Sequence, residues 1–304
     1  MKKTISIVVP VFNEEKNITL LYEAIKHVLQ QIKYYSYEIL FIDDGSTDGS
    51  WNIIESLSKQ DNHIRAFLFS RNFGHQAALM AGYMHAQGDA IISIDADMQH
   101  PPALILDMVQ AWEQGANIVY ARKVNRKDFF AKRWCSFLFY RILDCVSDTK
   151  IPRNVSDFRL IDKQVLAVLC ACPEQPPYLR GLVAWTGFKE AFVDCQYFER
   201  HAGTTGYSWK KMFQLAWSGV VGFALLPLRL AAFFSFILFI ISCFCGVYFL
   251  VQGFDATFLL LTVVCIFLSV QFFILWMLGE YIGAIHVQQK RRPLYIIKKK
   301  VDHV

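Results

Sequence analysis

Two long stretches of this 304-residue chain carry no charged side chain, Leu230–Phe254 and Ala256–Gly279. Each supplies about 20 residues of helix, about 30 Å at 1.5 Å per residue, the thickness of a bilayer's hydrocarbon core. Phe, Leu, Ile and Val dominate both, whereas a helix of a soluble core normally shows a polar face. The break between them, Gln252-Gly253-Phe254-Asp255-Ala256-Thr257, is short. The pattern predicts two membrane-spanning helices, about 229–252 and 257–279, joined by a tight turn. A chain 54% hydrophobic, with mean hydropathy +0.29, is more apolar than an ordinary soluble domain.

Charge orients that hairpin. No Lys or Arg lies between Arg229 and Lys290, while Lys210, Lys211 and Arg229 precede it and Lys290, Arg291, Arg292, Lys298, Lys299 and Lys300 follow. The positive-inside rule then puts residues 1–227 and the basic tail 282–304 in the cytoplasm, as parts of a multi-pass protein of the plasma (inner) membrane. The net charge of +5 is mostly this flanking excess, which points to anionic lipid headgroups rather than nucleic acid. The first apolar stretch stops at Pro10, too short for a signal peptide. Eight cysteines form no CxxC pair, so free thiols and no zinc site are expected.

Residues 4–122 alternate strand and helix patterns. Thr4–Val9, Tyr37–Ile42, Ile64–Phe69, Ala90–Ile94 and Asn117–Ala121 read as strands. Helices are expected through Ile18–Ile32, with Asn13 or Asn17 as cap, through Ile53–Leu57, and over His75–Ala86 and Ala103–Gln114. This order predicts an α/β fold with a mostly parallel sheet between helices, whose ligands sit beyond the carboxyl ends of the strands. Residues 123–227 are less regular. Phe129, Phe130, Trp134, Phe137, Leu138 and Ile142 alternate with Lys127, Lys132, Arg133 and Arg141, and Trp209, Phe213 and Trp217 surround Lys210 and Lys211. Both segments, about 128–146 and 207–226, read as amphipathic helices at a membrane surface or packed on the sheet.

Asp95-Ala96-Asp97 ends the fourth strand. Strand alternation points residues i and i+2 the same way, so both carboxylates can face one divalent ion, and Mg²⁺ bridges carboxylates to substrate phosphates. A DxD pair alone also occurs in solvated turns. Three more segments converge on the same sheet edge: Pro10-Val11-Phe12-Asn13-Glu14, Asp43-Asp44-Gly45-Ser46, and the later Val155-Ser156-Asp157-Phe158-Arg159-Leu160. Neither a GxGxxG nor a Walker loop occurs.

Together with Gln99-His100-Pro101-Pro102, Ser70-Arg71-Asn72-Phe73-Gly74, Arg200-His201-Ala202-Gly203, Gly279-Glu280-Tyr281-Ile282-Gly283 and Arg292-Pro293-x-Tyr295, these motifs resemble family 2 glycosyltransferases of the GT-A fold. The narrower resemblance is to polyprenyl-phosphate hexosyltransferases, the group of dolichyl-phosphate mannose synthase and the bactoprenol glucosyltransferases. It implies an inverting, metal-dependent transfer of a hexose from a nucleotide sugar to undecaprenyl phosphate. UDP-glucose is the favoured donor, with GDP-mannose or UDP-aminoarabinose as alternatives, and a homo-oligomer is compatible with it. It further implies that Glu14 and Asp44 contact base and ribose in a pocket made with Pro10, Phe12, Asn13, Gly45, Ser46, Asp95 and Ala96. Asp95, Asp97 and Gln99 would ring Mg²⁺ or Mn²⁺, and Asp157 would be catalytic. A phosphate monoester is largely dianionic at pH 7 and needs little help from a base, so Asp157 is equally a positioning group, paired with Arg159. Arg122, Arg133, Arg159 and Arg200 are the basic candidates for the phosphates. Relatives commonly carry a Lys before the Tyr of this stretch; Gly206 stands there, so Lys210 or Lys211 would have to substitute. A processive polysaccharide synthase would need more helices and a QxxRW motif, neither of which is present.

Overall fold

The computed structural model describes residues 2–123, 152, 155–172, 178–195 and 256–302, with isolated helical residues at 237, 240 and 244. The chain begins with alternating elements: β1 (Thr4–Val11), α1 (Ile18–Leu29), β2 (Ser36–Asp43), α2 (Ser50–Gln60), β3 (Ile64–Phe69), α3 (His75–His85), β4 (Ala90–Ser93), α4 (Leu104–Glu113) and β5 (Ile118–Lys123). These follow the expected pattern with small shifts at the ends. The apolar stripe of α1, Ile18, Leu21, Tyr22, Ile25, Val28 and Leu29, is buried as a 3.6 period requires. Asn17 stands at the cap position of α1 without a side-chain capping bond; its amide donates instead to Glu14 Oε2.

The sheet has eight strands in the order β7-β5-β6-β4-β1-β2-β3-β8, with β6 (Val155–Asp162), β7 (Glu190–Cys195) and β8 (Ile297–Val301) added to the first five. β1 pairs parallel with β2 and β4, β2 with β3, and β5 with β7. β6 runs antiparallel between β4 and β5. The sheet is therefore mixed and mostly parallel. Two apolar layers cover it. One contains Ile7, Val9, Phe41, Ile92, Phe158 and Leu160; the other contains Val8, Leu40, Phe67, Ile91 and Ile161. Strands covered on both faces read as continuous apolar runs, which is why β1 to β4 were legible.

Three expectations change. The stretch after residue 123 is not irregular throughout: it holds β6, α5 (Lys163–Ala171), α6 (Leu179–Trp185) and β7. Pro10, expected in a loop, is buried inside β1 opposite Ile42. The tail also does not begin after a helix ending near 279. Helix α7 runs over Ala256–Gln289, and Ile297–Val301 then pairs antiparallel with β3 at the sheet edge. Its middle three lysines are exposed while its ends are half-buried, and charged edge strands discourage further strand addition. Tyr295 stacks on Phe69 at 5.0 Å between ring centroids, and the Ser70 N–H donates to Ile296 O.

Ile266–Gln289, within α7, is long and apolar enough to cross a membrane, with mean hydropathy 1.6, and is the one such span among the described residues. Both amphipathic segments, 128–146 and 207–226, lie outside the described residues, as does the predicted first span, 229–252, apart from the helical residues 237, 240 and 244.

Helix α3 lies on β1 at Gly82. A Cβ there would come within 2.1 Å of Val8 Cγ1, and Val8 is fully buried. Gly82→Ala is expected to cost about 1–3 kcal/mol, the usual penalty of overpacking a close contact. A thermal midpoint equal to that of the parent protein in the same detergent would contradict this packing.

Candidate active site

The carboxyl ends of β1, β2 and β3 bring three loops together. Asn13, at φ 56°, occupies the left-handed region that Asn tolerates better than most residues. Its N–H donates to Ser46 Oγ (3.0 Å), and its Oδ1 accepts from the Thr47 N–H (2.8 Å). The Glu14 N–H donates to Ser50 Oγ (3.0 Å). Asp43 accepts from the Ser46 N–H (2.7 Å), a side-chain bond that closes the turn after β2. Phe12 is exposed beside these loops.

Asp44 and Gly45 hold the third loop. Asp44 is buried and accepts from the Phe73 N–H (2.6 Å) and the Gly74 N–H (2.9 Å). Gly45 has φ 70°, and a Cβ there would lie 2.5 Å from the Arg71 carbonyl carbon. Both residues thus build the wall formed by Ser70–Gly74. Burial pushes the Asp44 carboxyl up to about 6, against the pull of the Phe73 and Gly74 amides. A raised folded-state value favours the protonated form on folding. Its stabilising contribution is therefore full below about pH 4 and lost as pH rises through 6. Wild-type protein is expected to gain stability relative to Asp44→Asn between pH 7 and pH 5. Unfolding midpoints of the pair across that range check this, and a pH-independent gap would refute it.

β4 stops at Ser93, so Asp95 and Asp97 sit on the turn beyond it, and strand alternation does not govern the pair. Met98 takes φ 60° to close this turn, and Asp97 Oδ1 accepts from the Gln99 N–H (3.1 Å). Asp97 and Ala96 are buried, while Gln99 is half-buried. Asp95 Oδ1 is shielded from solvent and has no hydrogen-bond donor among the described residues; His75 Nε2 lies 3.5 Å away. No cluster of three His, Cys, Asp or Glu side chains forms a ready-made metal cage among the described residues. An orphaned carboxylate oxygen beside a second carboxylate suits a hard cation of the Mg²⁺ type, which takes one or two carboxylates and fills its sphere with substrate phosphates and water. The residues fit such an ion.

Asp157 is the centre of the other half. Because β6 is antiparallel to β4, its amino-terminal end lies beside the carboxyl end of β4. The Ser93 hydroxyl donates to the Asp157 carbonyl and accepts from Tyr83 OH (3.0 Å). Asp157 is 5% exposed, and its carboxylate meets two guanidinium groups and an imidazole. Arg159 reaches it from two residues along the strand. Arg180, at the start of α6, donates with Nε (3.1 Å) to Oδ1 and with Nη2 (3.0 Å) to Oδ2. His75 Nε2 lies 3.7 Å from Oδ2. Burial alone would raise this carboxyl, but Arg180, His75 and Arg159 outweigh burial and hold it well below the usual range. Asp157 is an anion at neutral pH and a poor proton acceptor.

Arg159 was expected among the phosphate ligands; it is 0% exposed, with its guanidinium on Asp157. Arg122 forms a cross-strand pair with Asp194 (2.8 Å) on the half-exposed rim of β5 and β7. Arg133, Arg200, Lys210 and Lys211 lie outside the described residues. His100 is buried against Phe158, and burial lowers its pKa, so it is neutral.

Residues 6–169, which run from β1 into α5, match the model of the family described as "Glycosyl transferase family 2". The chain belongs to glycosyl transferase family 2. Relatives of this family 2 enzyme match it nearly end to end. An uncharacterized glycosyltransferase of Bacillus subtilis, YkcC, is 40% identical, with 97% of this chain and 93% of that one covered. The SfII prophage-derived bactoprenol glucosyl transferase of Shigella flexneri is 37% identical, with 97% of each covered. A prophage bactoprenol glucosyl transferase homolog of Escherichia coli is 36% identical, covering 97% of this chain and 98% of its own. Among solved structures, glucosyl-3-phosphoglycerate synthase of Mycobacterium tuberculosis, with Mn²⁺, UDP-glucose and phosphoglyceric acid, superposes with TM-score 0.50. It is 18% identical over 72% of this chain and 78% of that one, a likeness of fold alone.

Two residues of this family 2 site were not singled out from the sequence. His75 opens α3 and Arg180 opens α6, and the Leu179 N–H donates to Gln76 Oε1 (3.3 Å), joining the two helix starts. The adjoining Ser70–Gly74 motif was a signal for His75. Nothing in the local sequence marks Arg180.

Proposed function

We propose that this chain transfers a hexose from a nucleotide sugar to polyprenyl phosphate, with UDP-glucose as donor and undecaprenyl phosphate as acceptor. The observation that carries this reading is the likeness, across 97% of the chain, to proteins named as bactoprenol glucosyl transferases. Likeness over that length takes in the apolar helix as well as the sheet. An acceptor with a long lipid tail explains why a nucleotide-sugar site and a membrane-crossing helix belong to one chain. The helices would form a two-span hairpin in the plasma membrane, with sheet and tail on the cytoplasmic side, which raises the local concentration of acceptor headgroup.

The donor's nucleotide would lie against the loops of Phe12–Glu14, Asp43–Ser46 and Ser70–Gly74, with its diphosphate beside Asp95, Asp97 and Gln99. These three residues would hold Mg²⁺ or Mn²⁺, which when bound neutralises the charge of the leaving nucleoside diphosphate. An acceptor phosphate oxygen attacks the anomeric carbon from the face opposite the leaving nucleoside diphosphate. As that C–O bond forms, the bond to the donor's β-phosphate oxygen breaks, so the configuration inverts. The acceptor is already anionic, so no proton has to leave it, and Asp157 acts as a fixed negative charge rather than as a base.

Detergent-purified protein given undecaprenyl phosphate and radiolabelled UDP-glucose, GDP-mannose or UDP-aminoarabinose is expected to yield a lipid-extractable product with UDP-glucose. EDTA should abolish it and Mn²⁺ or Mg²⁺ restore it. Label recovered only as free sugar or polymer would overturn the reading.

A further inference from the structure

The transfer step uses nothing from the motif Arg292-Pro293-x-Tyr295, which lies where the chain leaves the apolar helix and returns to the sheet. Arg291, at φ 47°, turns the chain just past the end of α7. Leu294, Tyr295 and Ile297 then pack, half-buried, on the apolar layer that contains Phe67 and Phe69. Phe73, from the Ser70–Gly74 loop, packs on the same layer.

Tail and loop are joined in two ways. The Ser70 N–H donates to Ile296 O (2.9 Å), so the first residue of the loop is bonded to the tail. A row of rings makes the second link. Tyr295 stacks on Phe69 with the planes 11° apart, Phe69 meets Phe73 edge-on (5.7 Å between centroids), and the Arg71 guanidinium lies 4.1 Å over the Phe73 ring. The Tyr295 hydroxyl lies 3.3 Å from His85 Nε2 on α3, which fixes the far end of its ring. Beyond the motif, Arg65 Nε donates to Asp302 (2.8 Å) and secures β8.

The other end of the loop is held from the sheet, by Asp44 on the Phe73 and Gly74 amides. Between these anchors Ser70, Arg71 and Asn72 are exposed. A loop with so little of its own buried surface is ordered by its anchors, and a loop ordered in advance costs less to close on a ligand.

We propose that Tyr295 is a positioning residue of the donor site. With Ile296 O beside it, Tyr295 holds the Ser70–Gly74 wall in the form that accepts the nucleoside diphosphate. The segment that follows the membrane-crossing helix is therefore a support of the donor pocket. This inference rests on the transfer reaction proposed above for the nucleotide at that wall.

The test compares Tyr295→Ala and Tyr295→Phe with wild type in detergent. Gly82→Ala, which loses stability at the contact of α3 with β1, is the control. Three readouts are taken: equilibrium binding of UDP with Mn²⁺, without sugar or lipid; hydrogen exchange at the amides of residues 70–74; and steady-state transfer. Tyr295→Ala is expected to weaken UDP binding about tenfold, the scale of a lost aromatic contact. The UDP-glucose KM should rise by the same factor, with kcat at saturating donor within about twofold of wild type. Exchange at residues 70–74 should quicken while the amides of β1 keep their rates. Tyr295→Phe keeps the ring and should recover most of the loss. Tyr295→Leu serves if the Ala variant does not fold. The inference falls if UDP binding is unchanged in Tyr295→Ala, or if Gly82→Ala weakens it as much at an equal thermal midpoint. That last result would mean that Tyr295 contributes stability alone. Tyr295-dependent UDP binding without a lipid-linked product would sink the proposed reaction and leave this inference standing; transfer with Tyr295-independent UDP binding would do the reverse.

Discussion

Asp97→Ala is expected to lower kcat/KM at least 10³-fold, a loss of about 4 kcal/mol of transition-state stabilisation. Asp97 is buried at the turn after β4, and its carboxylate is held by the Gln99 N–H. Burial makes it a pre-positioned charge that need not reorganise when a cation and a diphosphate arrive. Asp97→Asn keeps an oxygen for the Gln99 N–H and loses only the charge, so it separates turn geometry from electrostatics. Both variants should bind Mn²⁺ in the presence of UDP far more weakly than wild type, as read by paramagnetic resonance. Full transfer activity in Asp97→Ala would remove the metal from this turn, and with it the reading of Asp95-Ala96-Asp97 as the centre of the site.

Arg65→Ala should produce the largest loss of stability away from the site. Arg65 is 7% exposed and serves three acceptors at 2.8 Å: Glu38 Oε2, the His85 carbonyl and Asp302 Oδ1. Its removal would leave Glu38, itself 8% exposed, as a buried carboxylate without its cation, although Ser6 Oγ and the Gln87 N–H would still donate to it. Breaking a buried pair from one side costs about 3–5 kcal/mol, because the surviving charge has no compensation. Asp302 would lose the Arg65 contact that lowers its pKa, and β8 would lose its anchor past Val301. Two measurements read this out: the thermal midpoint, and protease cutting between Gln289 and Ile297. Arg65→Met with Glu38→Gln should recover part of the midpoint, since it removes both charges together. A midpoint unchanged in Arg65→Ala would mean that the network contributes nothing net.

The same network explains where prediction from sequence stopped. β1 to β4 are apolar runs covered on both faces, so their positions follow from hydrophobicity alone, and the bounds of β3 match the expectation residue for residue. β6 carries Asp157 and Arg159 two residues apart, and β8 carries three consecutive lysines. Charges like these read as surface or tail. β6 becomes a core strand only because Arg180 and His75 reach Asp157 from two helices, and β8 becomes an edge strand because Arg65 meets Asp302 and Tyr295 stacks on Phe69. Neither partner set is near in sequence.

The chain's own order of residues determined the α/β alternation, the acids after β2 and β4, the motif around Asp157 and an apolar helix able to cross a bilayer. Those are properties of neighbours along the chain, carried by periodicity and by turn chemistry. Only tertiary structure decided that β6 lies against β4, that Arg159 is buried while Arg180 is half-exposed, that Asp44 holds a loop, and that the tail returns to the sheet. Those outcomes depend on which distant groups share a low-dielectric interior, and burial sets a charge's role by where its counter-charge lies in space.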